Sequence, residues 1–241
     1  MAILFVSCKE EIPWAEDSDV PSHKPWTFLL EKHVSENGSV DYEGFQNDIA
    51  LLDMYLNKIS KNAPSKKWSK EDQLAYWLNA YNAFVIKLVL NHYPIKRIRD
   101  VTLYIPFINT PWDIEFIPLN NQKVDLNFIE HKVLRKVFKE PRIHFALVCA
   151  SKSCPSLRRE AYEGARVRDQ LQEDGINFIN DSKKTSISED RIVVSPIFSW
   201  FKEDFNKDGS LIDFINGFSN VEIRSDAEIE YLEYDWSLNS F

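Results

Sequence analysis

The sequence predicts an α+β fold, a helix-rich single domain with a modest, mostly antiparallel sheet. Three observations carry that expectation. The 241 residues, 44% hydrophobic and 13% aromatic, can bury one sizeable core. Helical apolar spacing dominates the first ninety residues, and short alternating runs with turn residues appear only after them. A formal net charge of -8 and a pI near 5.2 argue against a phosphate-backbone binder, so no nucleic-acid partner is expected.

The chain starts with "MAILFVSCKEE", a short apolar run that ends in Ser7-Cys8 and turns abruptly charged. This resembles the lipobox end of a bacterial lipoprotein signal, with residues 1–8 as the remnant and Cys8 as the lipidated residue. The run lacks a preceding Lys or Arg and is shorter than a complete apolar h-region; the alternative is an ordinary start that happens to contain Cys. Lys9-Glu10-Glu11 resembles a surface-export signal. Residues 9–25 combine acid and proline without apolar period and read as a flexible acidic tether. No apolar run reaches the ~18 residues of a membrane span, so a membrane is met through the lipid anchor only. The expected localisation is the bacterial cell envelope, periplasmic or surface-exposed.

Residues 26–241 read as the single globular domain. "WTFLLEKHV" and "YEGFQNDIALLDMYLNKISK" have helical spacing. Ser69 with Asp72 imitates a capping box ahead of a helix from Lys70 to Asn91, apolar nearly all round and interrupted by Asn79 and Asn82 on one face. Those two carboxamides either tie loops to the helix or line a cleft. Trp112, Ile114 and Phe116 alternate with Asp113 and Glu115 as in a strand, and Asn120-Asn121 forms a turn. Asp125 caps the helix "LNFIEHKVLRKVF", where His131 and Arg135 pair at i, i+4 while Glu130 points about 100° away. Further on, "RDQLQEDGINFIND" and "LIDFINGFS" read as helices, and "TSISEDRIVVSPIFSWFKEDF" as a hairpin or strand followed by a helix. "DFNKDGSLID" imitates a calcium loop without its register or terminal Glu. "YLEYDWSLN" reads as an aromatic segment packed on the body.

The chemistry concentrates in "HFALVCASKSCPSL", residues 144 to 157. Arg142 to Val148 reads as a strand and "SCPSLRREAY" as the start of a helix, with Ser153 or Cys154 at its cap. Cys154 at such an N-terminus would have a lowered pKa and becomes the nucleophile candidate; His144 or His131 would be the base, oriented by Glu130, Asn79 or Asn82. A Cys149–Cys154 disulfide and plain packing of small thiols are the alternatives. A zinc set with His131 and His144 matches no standard spacing, so neither a metal nor another cofactor is expected.

Several blocks together, "YWLNAYNAFVI", "LNFIEHKVLR", "PRIHFALVCASKSCPSLRREAY", "FIND" and "IEYLEYDWSLN", resemble the family catalogued as domain of unknown function 547. The resemblance covers roughly residues 65 to 241 and points to Asn79, Asn82, Glu130, His131, Arg135, His144, Cys149, Ser153, Cys154 and Pro155. A looser analogy is with papain and transglutaminase-like proteins, where a nucleophile helix packs on a sheet bearing the His; here that helix offers Asn79 and Asn82 instead of a thiol. Two functions are expected to compete. One is a thiol-dependent hydrolase or acyl transferase acting on a peptide or amide. The other is a non-catalytic envelope module that binds a peptide, glycan or envelope protein through a site including Asn79, Asn82, Arg135, Cys149 and Ser153.

Overall fold

One long helix organises the molecule. Ser69 accepts a hydrogen bond from the Asp72 amide at 3.0 Å, and α4 then runs over Lys70–Leu90, buried without a break from Gln73 to Ile86. A helix apolar on every side must be covered on every side. The computed structural model, which describes residues 12–102 and 110–241, shows how. On one side lie α1 (Lys24–His33), α2 (Tyr42–Asn47) and α3 (Ile49–Lys61). The helical run from Tyr42 breaks at Asp48, whose carboxylate is drawn to Lys32 and His33 of α1, both at 2.6 Å.

On the other side of α4 packs a π-helical segment, Phe128–Phe138. Asp125 caps it as expected, accepting from the Phe128 amide at 2.6 Å. Its i→i+5 turns are wider than those of the α-helix read from the sequence, and such turns recur at functional sites.

The sheets are small. β1 (Ile117–Leu119) and β2 (Gln122–Val124) form an antiparallel hairpin around Asn120 and Asn121, both at positive φ. The strand expected at Trp112–Phe116 is not formed. Its alternation is real in burial, but Thr110 and Asp113 close a 3-10 turn over Pro111–Asp113 and, among the described residues, no backbone pairs with the rest as a strand, so β1 begins only at Ile117. β3 (Ser186–Ile187) runs antiparallel to β4 (Arg191–Val194), and β5 (Glu228–Tyr231) joins β4 in parallel. With α5 (Val167–Ile179), α6 (Ile197–Trp200), α7 (Lys202–Phe205) and α8 (Leu211–Asn216), this sheet encloses a second apolar cluster around Phe145, Phe178 and Phe198. The result is an α+β domain with a mostly antiparallel sheet.

Two chain ends hold these layers. The C-terminal segment makes bridges to three distant strands of chain, Val40 to Ser240, Arg97 to Ser237 and Ser151 to Leu238. The stretch read as a tether is docked over its described part: Ala15 bridges Ser65, Trp14 meets Trp77 edge-on, the Trp68 indole donates to Ser18 O, and Pro13, Pro21 and His23 are buried. Trp14 and the prolines give residues 12–25 enough apolar area to adhere, which a reading of acid, proline and missing apolar period overlooks. Cys8 and the stretch that resembles a lipoprotein signal lie outside the described residues.

Candidate functional site

The site begins with the two carboxamides of α4. Asn82 donates to Ala146 O at 2.9 Å and accepts from Val148 N at 3.0 Å, and Asn79 does the same with Tyr162 O and N at 2.8 and 2.9 Å. Both are buried ties between helix and loop. Neither lines the aromatic cleft described below, because both side chains are buried against these loop backbones.

The loop tied by Asn82 is neither the strand nor the helix expected there. Pro141–Phe145 is a 3-10 helix, started by Pro141 and by the Glu140 carboxylate accepting from Arg142 N. Residues 143–148 are then buried on all sides, so their composition resembled a strand without the half-exposed face of one. Beyond Ala150, at φ 58°, the tail segment captures the amides that a helix would use: Lys152 N donates to Ser237 O, and Ser153 N to Asp235 O. No helix starts at Ser153 or Cys154, and the dipole argument for a Cys154 thiolate is lost. Ser153 Oγ instead accepts from Asp235 N at 2.8 Å.

The turn brings the two sulfurs together. Cys149 and Cys154 form a disulfide, with Cα atoms 6.0 Å apart. Cys149 N donates to Cys154 Sγ at 2.7 Å, and Tyr234 Oη and Ser151 Oγ each lie 3.1 Å from Cys149 Sγ. Cys154 is buried, Cys149 only partly so.

Around this disulfide lies a cleft of about 190 Å³. Trp112, Trp200, Trp236, Phe201, Tyr81 and Tyr234 form its walls, and Glu130, His131, His144, Cys149 and Cys154 also line it. Every residue expected to be catalytic therefore reaches one cavity. Arg135 supports it from beside, while Ser153 opens on another cavity of about 830 Å³ across the loop, where Lys184 bonds Cys154 O.

The imidazoles are already committed. His144 Nε2 bonds Asp204 Oδ2 at 2.8 Å, and its ring stacks on Phe201 at 3.9 Å. Arg135 grips the same carboxylate through Nε at 2.5 Å and Nη2 at 3.1 Å. Burial works to raise the Asp204 pKa, but hydrogen bonds from His144 and Arg135 outweigh it and hold the carboxyl well below its usual range. Arg135 Nη1 donates to His131 Nδ1 at 3.2 Å, and since a guanidinium cannot accept, the His131 proton sits on Nε2. Glu130, although next to His131 in sequence, meets Tyr81, whose Oη donates to Oε2 at 3.0 Å. Burial pushes the Tyr234 hydroxyl up to about 12, so it remains a donor near the sulfurs.

Asp204 and the aromatic walls escaped the sequence reading. Asp204 was visible only as part of a poor calcium loop, and Asp213 of that loop caps α8 with Ser210. The one signal for the walls was the density of Tyr and Trp in "YLEYDWSLN".

Fold and site together define a helix-rich α+β protein with an aromatic cleft rimmed by a disulfide. Residues 65–179 match the model of the family described as "Protein of unknown function, DUF547", which supports the family to which the sequence blocks pointed. That match spans α4, the π-helix, the disulfide loop and α5. No curated protein and no solved structure matches the chain.

Proposed function

We propose that this protein is a non-catalytic binding module of the bacterial cell envelope, held there by a lipid on Cys8, whose aromatic cleft takes part of a peptide, glycan or envelope-protein partner. The observation that carries this reading is the Cys149–Cys154 pairing, which leaves the cleft with no free thiol. A small apolar cavity with few convergent polar groups is the usual form of a ligand site, and its disulfide rim resists rearrangement. Alkylation by iodoacetamide, followed by peptide mass spectrometry, tests the point: neither cysteine should react until reductant is added. Rapid alkylation of Cys154 without reductant, with a midpoint well below the free-thiol value of about 8.5, overturns it. Incorporation of labelled palmitate that disappears in Cys8→Ser checks the anchor.

A second reading is favoured by the convergence of Glu130, His131, His144, Cys149 and Cys154 on one cleft. In a protein reduced by an external dithiol, Cys154 would be the nucleophile of a hydrolase or acyl transferase. It would attack an amide carbonyl to form a thioester while an imidazole hands a proton to the departing amine, and water or an acceptor amine would release the acyl group. Turnover of amide substrates that appears only after reduction, and disappears in Cys154→Ser, separates this reading from the first.

A further inference from the structure

We infer that the aromatic cleft recognises a cation, the ammonium or guanidinium of a Lys or Arg side chain presented by a peptide or protein partner, with Glu130 as its counter-charge. The inference rests on the binding-module reading and names the ligand class for it. Glu130 is only 8% exposed, yet Tyr81 is its hydrogen-bond partner among the described residues. An ionised carboxylate so deeply placed is costly without a positive partner. Among the described residues no ion pair joins Glu130 to a base: Arg135 feels its charge but bonds to another carboxylate, and the Arg99 guanidinium lies over Trp236. Arg135 is hydrogen-bonded to Asp204, and His131 Nδ1 accepts a hydrogen bond from Arg135. Glu130 lines the cleft, so its carboxylate is within reach of whatever enters it.

The walls suit the same ligand. Indole and phenol rings present negative faces that attract cations, and here they come from Trp112, Trp200 and Tyr234. The chain itself shows such an attraction at this wall: the Arg99 guanidinium carbon lies 3.3 Å from the centre of the Trp236 ring. A volume of about 190 Å³ suits one long side chain better than an oligosaccharide. The net charge of -8 adds a long-range pull on basic partners.

The test is an NMR titration of the full chain, following the indole N–H signals of Trp112, Trp200 and Trp236. The probes are blocked tripeptides Ac-Gly-X-Gly-NH2, with X as Lys, Arg, norleucine or Glu, and chitotriose as a glycan control. Lys and Arg peptides should bind about tenfold more tightly than norleucine, the margin of one desolvated cation–π or ionic contact. Glu130→Gln, which keeps an acceptor for Tyr81, should remove most of that margin while the melting temperature does not fall. Equal binding of norleucine, or a margin that survives Glu130→Gln, overturns the cationic assignment and leaves the module reading intact. Shifts caused by chitotriose alone do the same. If no probe moves the indoles the cationic assignment falls, and the alkylation result decides separately whether the module reading falls with it.

Discussion

His144 Nε2 and Asp204 Oδ2 lie 2.8 Å apart although sixty residues separate them in the chain. The contact joins the loop that carries the disulfide to α7, and Arg135 clamps the same carboxylate from the π-helix. Three elements that bound the cleft thus meet on one side chain.

Replacing that side chain should loosen all three. Asp204→Asn keeps the shape but removes the charge shared by Arg135 and His144, and a loss of about 2 kcal/mol is expected, discounted from the value for fully buried pairs because the carboxylate is one-quarter exposed. The sign with pH follows from a folded pKa below the unfolded one. The contribution is fully present above the unfolded value of about 3.9 and is lost as pH falls through the folded value. Urea unfolding at pH 7 should separate the variant from the parent, and the gap should narrow below pH 4.

His23 offers a direct check on whether residues 12–25 are docked. Burial, aided by the Lys58 charge, lowers its pKa to about 4, and its Nδ1 is hydrogen-bonded to Tyr55 Oη at 2.7 Å. A histidine on a free tether would titrate near 6.5. With a depressed folded pKa, the stability it contributes is present above about 6.5 and is lost as pH falls towards 4. Imidazole C–H shifts in an NMR titration should show His23 neutral at pH 6, and a midpoint near 6.5 would sink the docked description.

The disulfide closes a loop of sequence separation 5, for which loop-closure entropy gives a stabilisation of about 2 kcal/mol. The double variant Cys149→Ser, Cys154→Ser should lose about that much. Dithiothreitol should shift the parent protein by a similar amount and leave the variant unmoved.

The carboxamide ties are expected to matter as much. Asn82→Ala strips partners from the Ala146 carbonyl and the Val148 amide at once, with a cost of about 3 kcal/mol. Asn79→Ala should behave alike at Tyr162. Native-state hydrogen exchange should show Val148 losing protection in the first variant and Tyr162 in the second; an unchanged rate at either amide contradicts its tie.

Much of the scaffold was legible from residue order. The spacing from Lys70 to Leu90, the Ser69 and Asp125 caps, the Asn120-Asn121 turn and α5 all depend on contacts within a few residues, which local sequence records. The site was legible as a set of residues and not as an arrangement. The spacing around Glu130 and His131 supposed an α-helix, and π turns carry no distinct apolar period; the run RIHFALV resembled a strand because full burial and strand pairing select similar residues.

By itself the sequence determined the helix-rich class, the helix that had to be buried, and the stretch of chain in which cysteine and histidine concentrate. Only the tertiary structure decided that Asn79 and Asn82 tie loops, that Cys154 pairs with Cys149, and that Asp204, Tyr234 and Trp236 belong to the same site. The reason is separation along the chain. Helix period and caps are fixed by neighbours within one or two turns, whereas a carboxylate sixty residues away, or a tail that captures the amides of Lys152 and Ser153, leaves no local trace until the chain has folded.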